Sequence, residues 1–163
     1  MSSITTMEEF KDALEGLSLD QQRIIAARFV GDVLDLTDDE SLKHAQQIAS
    51  HEDATPEELM AAYHSARHVA VKSGIQSEWE LVDWHKQAEH FVARACAESL
   101  APAHHGVKWR HLAWNVAHHC RMARTCASID HEQERPSLAK AEAALNKQIA
   151  AQFELLRQFL KEN

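Results

Sequence analysis

The stretch WELVDWHKQAEHFVARACA (79–97) returns thirty residues later as WRHLAWNVAHHCRMARTCA (109–127). Trp79 falls on Trp109, Trp84 on Trp114, Ala93 on Ala123, Arg94 on Arg124, Cys96 on Cys126 and Ala97 on Ala127. The chain has only 4 Trp and 3 Cys, so two Trp and one Cys coinciding at one offset mark an internal duplication. Its apolar positions recur at helical spacing. The duplication therefore predicts two related helices, about 77–100 and 107–129, packed side by side.

On either side of this pair, the starts of the other helices are legible. A capping box places Ser or Thr at the N-cap and Glu or Gln three residues later, so that each side chain satisfies the other's free backbone N–H. The pattern occurs at Thr6/Glu9, Ser18/Gln21, Thr37/Glu40, Thr55/Glu58 and Ser77/Glu80. Pro56 stands at a first helical position, where its missing N–H costs nothing. The expected helices are 7–15, 19–35, 38–50, 56–73, 78–100, 107–129 and 136–161. In the last, Leu138, Ala141, Leu145, Ile149, Phe153, Leu156 and Leu160 form one apolar stripe. No stretch alternates long enough for a strand. With 4 Gly and 3 Pro there is little material for a turn-rich β fold. The fold class is all-α, a single-domain bundle of six to seven helices.

The length, 163 residues, suits one domain with a proper core. Residues 1–53 form acidic N-terminal helices, and 54–163 form a core rich in Ala and His. Residues 1–60 carry a charge of −10 and the remainder +2, for a net −8. That balance argues against a nucleic-acid duplex as partner. It leaves the acidic part either to fold against the more basic part or to receive a basic partner. No apolar run is long enough to span a bilayer, and the N-terminus does not read as a signal peptide. Three Cys without metal-type spacing point to a reducing cytoplasm.

Candidate chemistry rests on the 12 His. His64 and His68, four residues apart on one helical face, have a spacing that binds zinc or another transition metal. Glu-x-x-His and His-Glu-x-x-His are both absent, and with them the di-iron and zincin patterns. His111, Asn115, His118 and Met122 share one face of the sixth helix and are candidates for the edge of a ligand pocket. Trp84 and Trp114 are candidates for its aromatic wall; core packing is the plainer reading of both rings.

An antiparallel hairpin closed by 101–106 sets Asp83 against Arg124, Glu89 against His118 and Cys96 against His111. It also brings His104 and His105 to the end near Cys96. A thiol and three imidazoles there could hold zinc, or His111 could activate the Cys96 thiol. The simpler role for Cys96 is a small buried residue.

Phosphate-binding Gly-rich loops, Gly-x-Ser-x-Gly and zinc-type Cys pairs are missing. The function expected is therefore a helical binding or interaction protein without catalysis of its own, with no cofactor expected, a protein partner allowed, and zinc or another transition metal as the alternative at the His residues. Ala-rich helical arrays of this style are found among bacterial toxin-neutralising proteins, without a shared motif here. The alternatives are a metal- or cofactor-binding bundle and, third, a thiol/His enzyme. Membranes are not expected as partners, and the sequence sets no oligomeric state.

Overall fold

The computed structural model describes residues 4–74, 82–102, 109–129 and 137–163. Within them lie α1 (Met7–Glu15), α2 (Leu19–Gly31), α3 (Glu40–Ser50), α4 (Pro56–Ser73), α5 (Trp84–Ser99), α6 (Leu112–Ala127) and α7 (Leu138–Glu162). Short 3-10 turns at Leu34–Leu36 and Trp109–His111 precede α3 and α6. Among the described residues there is no strand. The chain is an all-α bundle.

Three capping boxes set the starts of α1, α2 and α4, with both reciprocal bonds made at Thr6/Glu9, Ser18/Gln21 and Thr55/Glu58. The Glu9 carboxylate accepts from the Thr5 and Thr6 backbone N–H groups, which hold its pKa down to about 2. The box expected at Thr37/Glu40 is corrected. Asp39 caps α3, accepting from Ser41 and Leu42, and Thr37 sits one turn earlier, accepting from the Asp39 N–H. A carboxylate is a stronger acceptor than a hydroxyl for these N–H groups, so the competition goes to Asp39. The box at Ser77/Glu80 lies outside the described residues.

The deepest core is built by large side chains of α1, α2, α6 and α7. Phe10, Leu14, Ile25, Phe29, Leu112, Leu156 and Phe159 are all fully enclosed. Phe10 stacks on Phe153 at 4.9 Å and leans on Phe29 at 5.9 Å. Each such burial contributes about 1.5–3 kcal/mol, so this region supplies most of the hydrophobic stabilisation. Helices α4 to α6 contribute closeness instead. Ala62, Ala66, Ala93, Ala95, Ala113, Ala117 and Ala123 are buried there, and small side chains let the axes approach.

Helices α5 and α6 pack as an antiparallel pair, but not in the expected register. Both are shorter at their loop ends than expected: α5 stops at Ser99 and α6 starts at Leu112. The longer connection slides α6 along α5. His119 Nε2 lies 2.8 Å from Glu98, and its ring stacks on Phe91. Arg124 pairs not with Asp83 but with Asp35, and it also donates to the Asp32 carbonyl and to Gln148. Glu89 has Asp38, Asp83 and Asp39 as its acidic neighbours; burial first, and then these charges, raise its pKa. His118 is exposed.

The apolar stripe of α7 is only half used. Phe153 and Leu156 are buried, whereas Leu138 is 81% exposed and Leu160 41% exposed. In their place Gln148, Gln152 and Phe159 face inward. The two glutamines answer the buried Arg121 and the half-buried Arg124. Arg121 donates to Gln152 Oε1 at 2.6 Å, and Gln152 donates in turn to the Ala117 carbonyl at 2.9 Å. Gln148 bridges Arg124 and Asp32.

Candidate functional site

Four helix ends meet at one pole of the bundle and leave a cleft of about 240 Å³. The first turns of α2 supply Leu19, Asp20 and Arg23, and those of α4 supply Pro56, Leu59 and Met60. The end of α5 and the residues after it supply Ser99, Leu100, Ala101 and Pro102; α6 supplies Leu112. The Ser18 and Thr55 caps fix where α2 and α4 begin, so Leu19 and Leu59 arrive at the same height. Pro102 cannot continue α5 and lies on the opposite wall.

The cleft is apolar at its walls and acidic at its rim. Asp20 is exposed on its lining, Glu52 lies close enough to act on Arg23, and Glu57 and Glu58 are exposed in the first turn of α4 beside the lining Pro56 and Leu59. Among the described lining residues the single cation is Arg23, which is 7% exposed and already committed. Its Nη1 donates to the Ala49 carbonyl at 2.6 Å and to the His51 carbonyl at 2.9 Å, closing the free end of α3. Burial lowers its pKa, and the charges of Asp20 and Glu52 offset that in part. Arg23 Nε is enclosed and makes no hydrogen bond.

Leu19 also belongs to a shallower neighbouring groove, formed by Glu15, Gly16, Leu17, Ser18, Gln21, Trp109 and Arg110. Trp109 is 46% exposed there. What holds it in place is His111, whose Nδ1 lies 2.6 Å from Glu15 Oε1 and so ties the turn before α6 to the end of α1. Cleft and groove together make one continuous face.

The residues proposed from sequence are placed as follows. His111 clasps Glu15, so it does not face Cys96. Cys96 is fully buried with its thiol toward the Leu42 carbonyl at 3.7 Å, and burial pushes its pKa up to about 12. Its surroundings favour the protonated thiol, and His111 is not there to activate it. His104 and His105 lie outside the described residues. Cys120 and Cys126 are also buried, unpaired and raised in pKa by burial. His64 and His68 are exposed on α4. Among the described residues no three His, Cys, Asp or Glu side chains stand close enough to hold a metal ion.

Trp84 and Trp114 do not form one wall. They stand in the first turns of α5 and α6, and antiparallel helices of 16 residues put those turns about 24 Å apart along the axis. Both rings are half-buried. Trp114 packs against Phe10 and carries Lys11 and Arg121 over its face. Asn115 is half-buried beside the exposed His118, whose pKa is lowered by burial and by His119 and Arg121.

Sequence reasoning missed the cleft. The signal for it was present in the caps, which fix two of the four helix ends that meet there. It missed the His119–Glu98 pair, half-buried between α5 and α6 with His119 Nδ1 enclosed and without a hydrogen bond, because the register was misread. It also missed Arg121, which is 6% exposed and sits over the adjoining Phe10 and Trp114 rings at 5.4 Å from each.

No protein-family model, curated protein or solved structure gives a match to the chain.

Proposed function

We propose that this chain is a small helical protein-binding module that acts by holding another protein, as toxin-neutralising and adaptor proteins do, rather than by chemistry of its own. The observation that carries the reading is the apolar cleft at the bundle pole, continuous with an exposed Trp109 and Arg110. Trp and Arg are the side chains that most often dominate protein interfaces, and an apolar pocket beside them is where a partner's anchoring side chain is desolvated. The cleft by itself, at about 240 Å³, is below the range of about 300–1,000 Å³ usual for small-molecule and cofactor sites, and the larger groove of about 670 Å³ beside it is open and shallow. The cleft has room for a side chain or two.

The net charge of −8 supports a protein rather than a nucleic-acid duplex as the thing held. No helix among the described residues is long and apolar enough to cross a membrane. We place the protein in the cytoplasm, a reading supported by three unpaired thiols in the described core. A metal-holding role finds no comparable support, since His64 and His68 stand exposed without a third ligand among the described residues.

Co-purification from the native cell tests the reading, using the tagged chain beside its Met60→Arg variant. Met60 is only partly buried, so the variant should melt with the wild type. A protein recovered in stoichiometric amount with the wild type and lost with the variant is the expected result. Recovery of no protein in stoichiometric amount, together with bound zinc or iron, would replace this reading with the metal-binding one.

A further inference from the structure

We infer that the partner enters this cleft with a large apolar side chain flanked by Lys or Arg; the inference rests on the protein-binding reading above. Its basis is the charge around the cleft. Asp20 lines it with its side chain 85% exposed, Glu52 acts on Arg23 within it, and Glu57 and Glu58 stand exposed in the first turn of α4 beside the lining Pro56 and Leu59. Against these four carboxylates the described lining residues set the buried Arg23, whose donors Nη1 and Nη2 face the α3 carbonyls and Asp20, and the adjoining groove sets the exposed Arg110.

Helix dipoles do not reverse the sign. The starts of α2 and α4 point at the cleft and carry partial positive charge, roughly half a unit each. Asp20 already stands in the first turn of α2, and Glu57 and Glu58 in that of α4, and they more than offset it. Some of the first-turn N–H groups that would draw an anion are also in use: Ser18 takes that of Gln21, Thr55 that of Glu58, and Gln22 Oε1 that of Ala113 at the start of α6. An acidic peptide or a carboxylate ligand would therefore meet a surplus of negative charge. A basic segment meets complementary charge at the rim and apolar walls within.

The shape fits the same occupant. Leu19, Leu59, Met60, Leu100 and Leu112 surround a space that suits one Leu, Met or Phe side chain. Exposed rim charges act mainly on the association rate and its salt dependence, while the buried anchor sets the dissociation rate. The two contributions are therefore separable by measurement.

A random peptide library displayed on phage and selected on the full chain provides the probe. The expected motif is a large apolar residue with Lys or Arg within two or three positions. A synthetic peptide of that motif should lose about tenfold or more in affinity for Met60→Arg or Ala101→Trp, which fill the cleft. Against Asp20→Asn/Glu57→Gln it should associate about three- to tenfold more slowly at low salt, with the difference fading near 0.15 M salt. All variants are compared at matched melting temperatures. Acidic or uncharged motifs that still compete at the cleft would overturn the basic partner and leave the protein-binding reading standing. Peptides that bind both filled-cleft variants as well as the wild type would overturn the site. Absence of any selected peptide would overturn the inference, while the native co-purification would still decide whether the chain binds a protein at all.

Discussion

Arg121 is the side chain whose surroundings depart furthest from ordinary practice. It is buried, has no carboxylate partner, and leaves Nη2 without a hydrogen bond. Burial lowers its pKa to about 10, so it stays charged at neutral pH. The charge is held by the Phe10 and Trp114 rings, Gln152 Oε1 and Met7 Sδ. Arg121→Ala removes these contacts and opens a cavity; it should cost about 2–4 kcal/mol in urea melts. Arg121→Met with Gln152→Leu removes the charge and its buried acceptor together. That double variant should be at least as stable as the wild type, because a well-packed apolar pair often replaces a buried charge at no loss. A double variant weaker than Arg121→Ala would show that the charge itself is needed.

The buried thiols give a pH dependence with a definite sign. Cys96 is raised from 9.0 to about 12 by burial, and Cys120 is raised as well. Between those limits the unfolded chain loses these protons while the folded chain keeps them. Stability is thus full below about pH 9 and falls as pH rises toward 12. In Cys96→Ala/Cys120→Ala the fall between pH 9 and 11 should be shallower than in the wild type, read from denaturant midpoints at each pH. Equal slopes would mean the thiols ionise as freely in the fold as out of it.

At the scale of the elements, the helix starts are the part most open to sequence. Thr6, Ser18 and Thr55 act as read, because a capping box is local and owes nothing to the rest of the fold. Asp39 outcompetes Thr37 for the same reason: the decision lies among neighbours, but two acceptors were in range. Asp39→Ala should therefore cost about 1–2 kcal/mol and fray α3, with a smaller loss of the helix signal for Glu40→Gln.

Relations between elements were less legible. The repeat matches at an offset of thirty, yet α5 and α6 begin 28 residues apart (112 − 84). Trp84 is then the first residue of its helix and Trp114 the third, and equal letters do not mean equal surroundings. Trp114 packs on the core and Trp84 does not belong to it. Trp114→Ala should cost about 2–3 kcal/mol and Trp84→Ala about half that, since the loss scales with apolar area returned to water. Equal losses would restore the repeat as a packing unit. The length of the 3-10 turn before α6, which shifts the whole register, depends on the His111–Glu15 clasp. Those two residues stand 96 positions apart in the chain, beyond any local pattern.

Across the whole molecule, the all-α class follows from caps and periodicity, while the cleft follows from where separate helices end. Residues of four helices meet there, and only their starts carry local signals. The half-used stripe of α7 shows the same limit from the other side. Its spacing is helical throughout, but Leu138 stays 81% exposed, because periodicity says which face is apolar and not how far the bundle extends beneath it.

The central claim is that this pole of the bundle is where another protein sits. Hydrogen–deuterium exchange of the chain, free and in complex with the protein that co-purifies with it, tests that claim most directly. Protection on binding should concentrate at 19–23, 56–60, 99–102 and 109–112. Protection confined to the first turns of α7, or to the α4 face that carries His64 and His68, with these four segments unchanged, would contradict it.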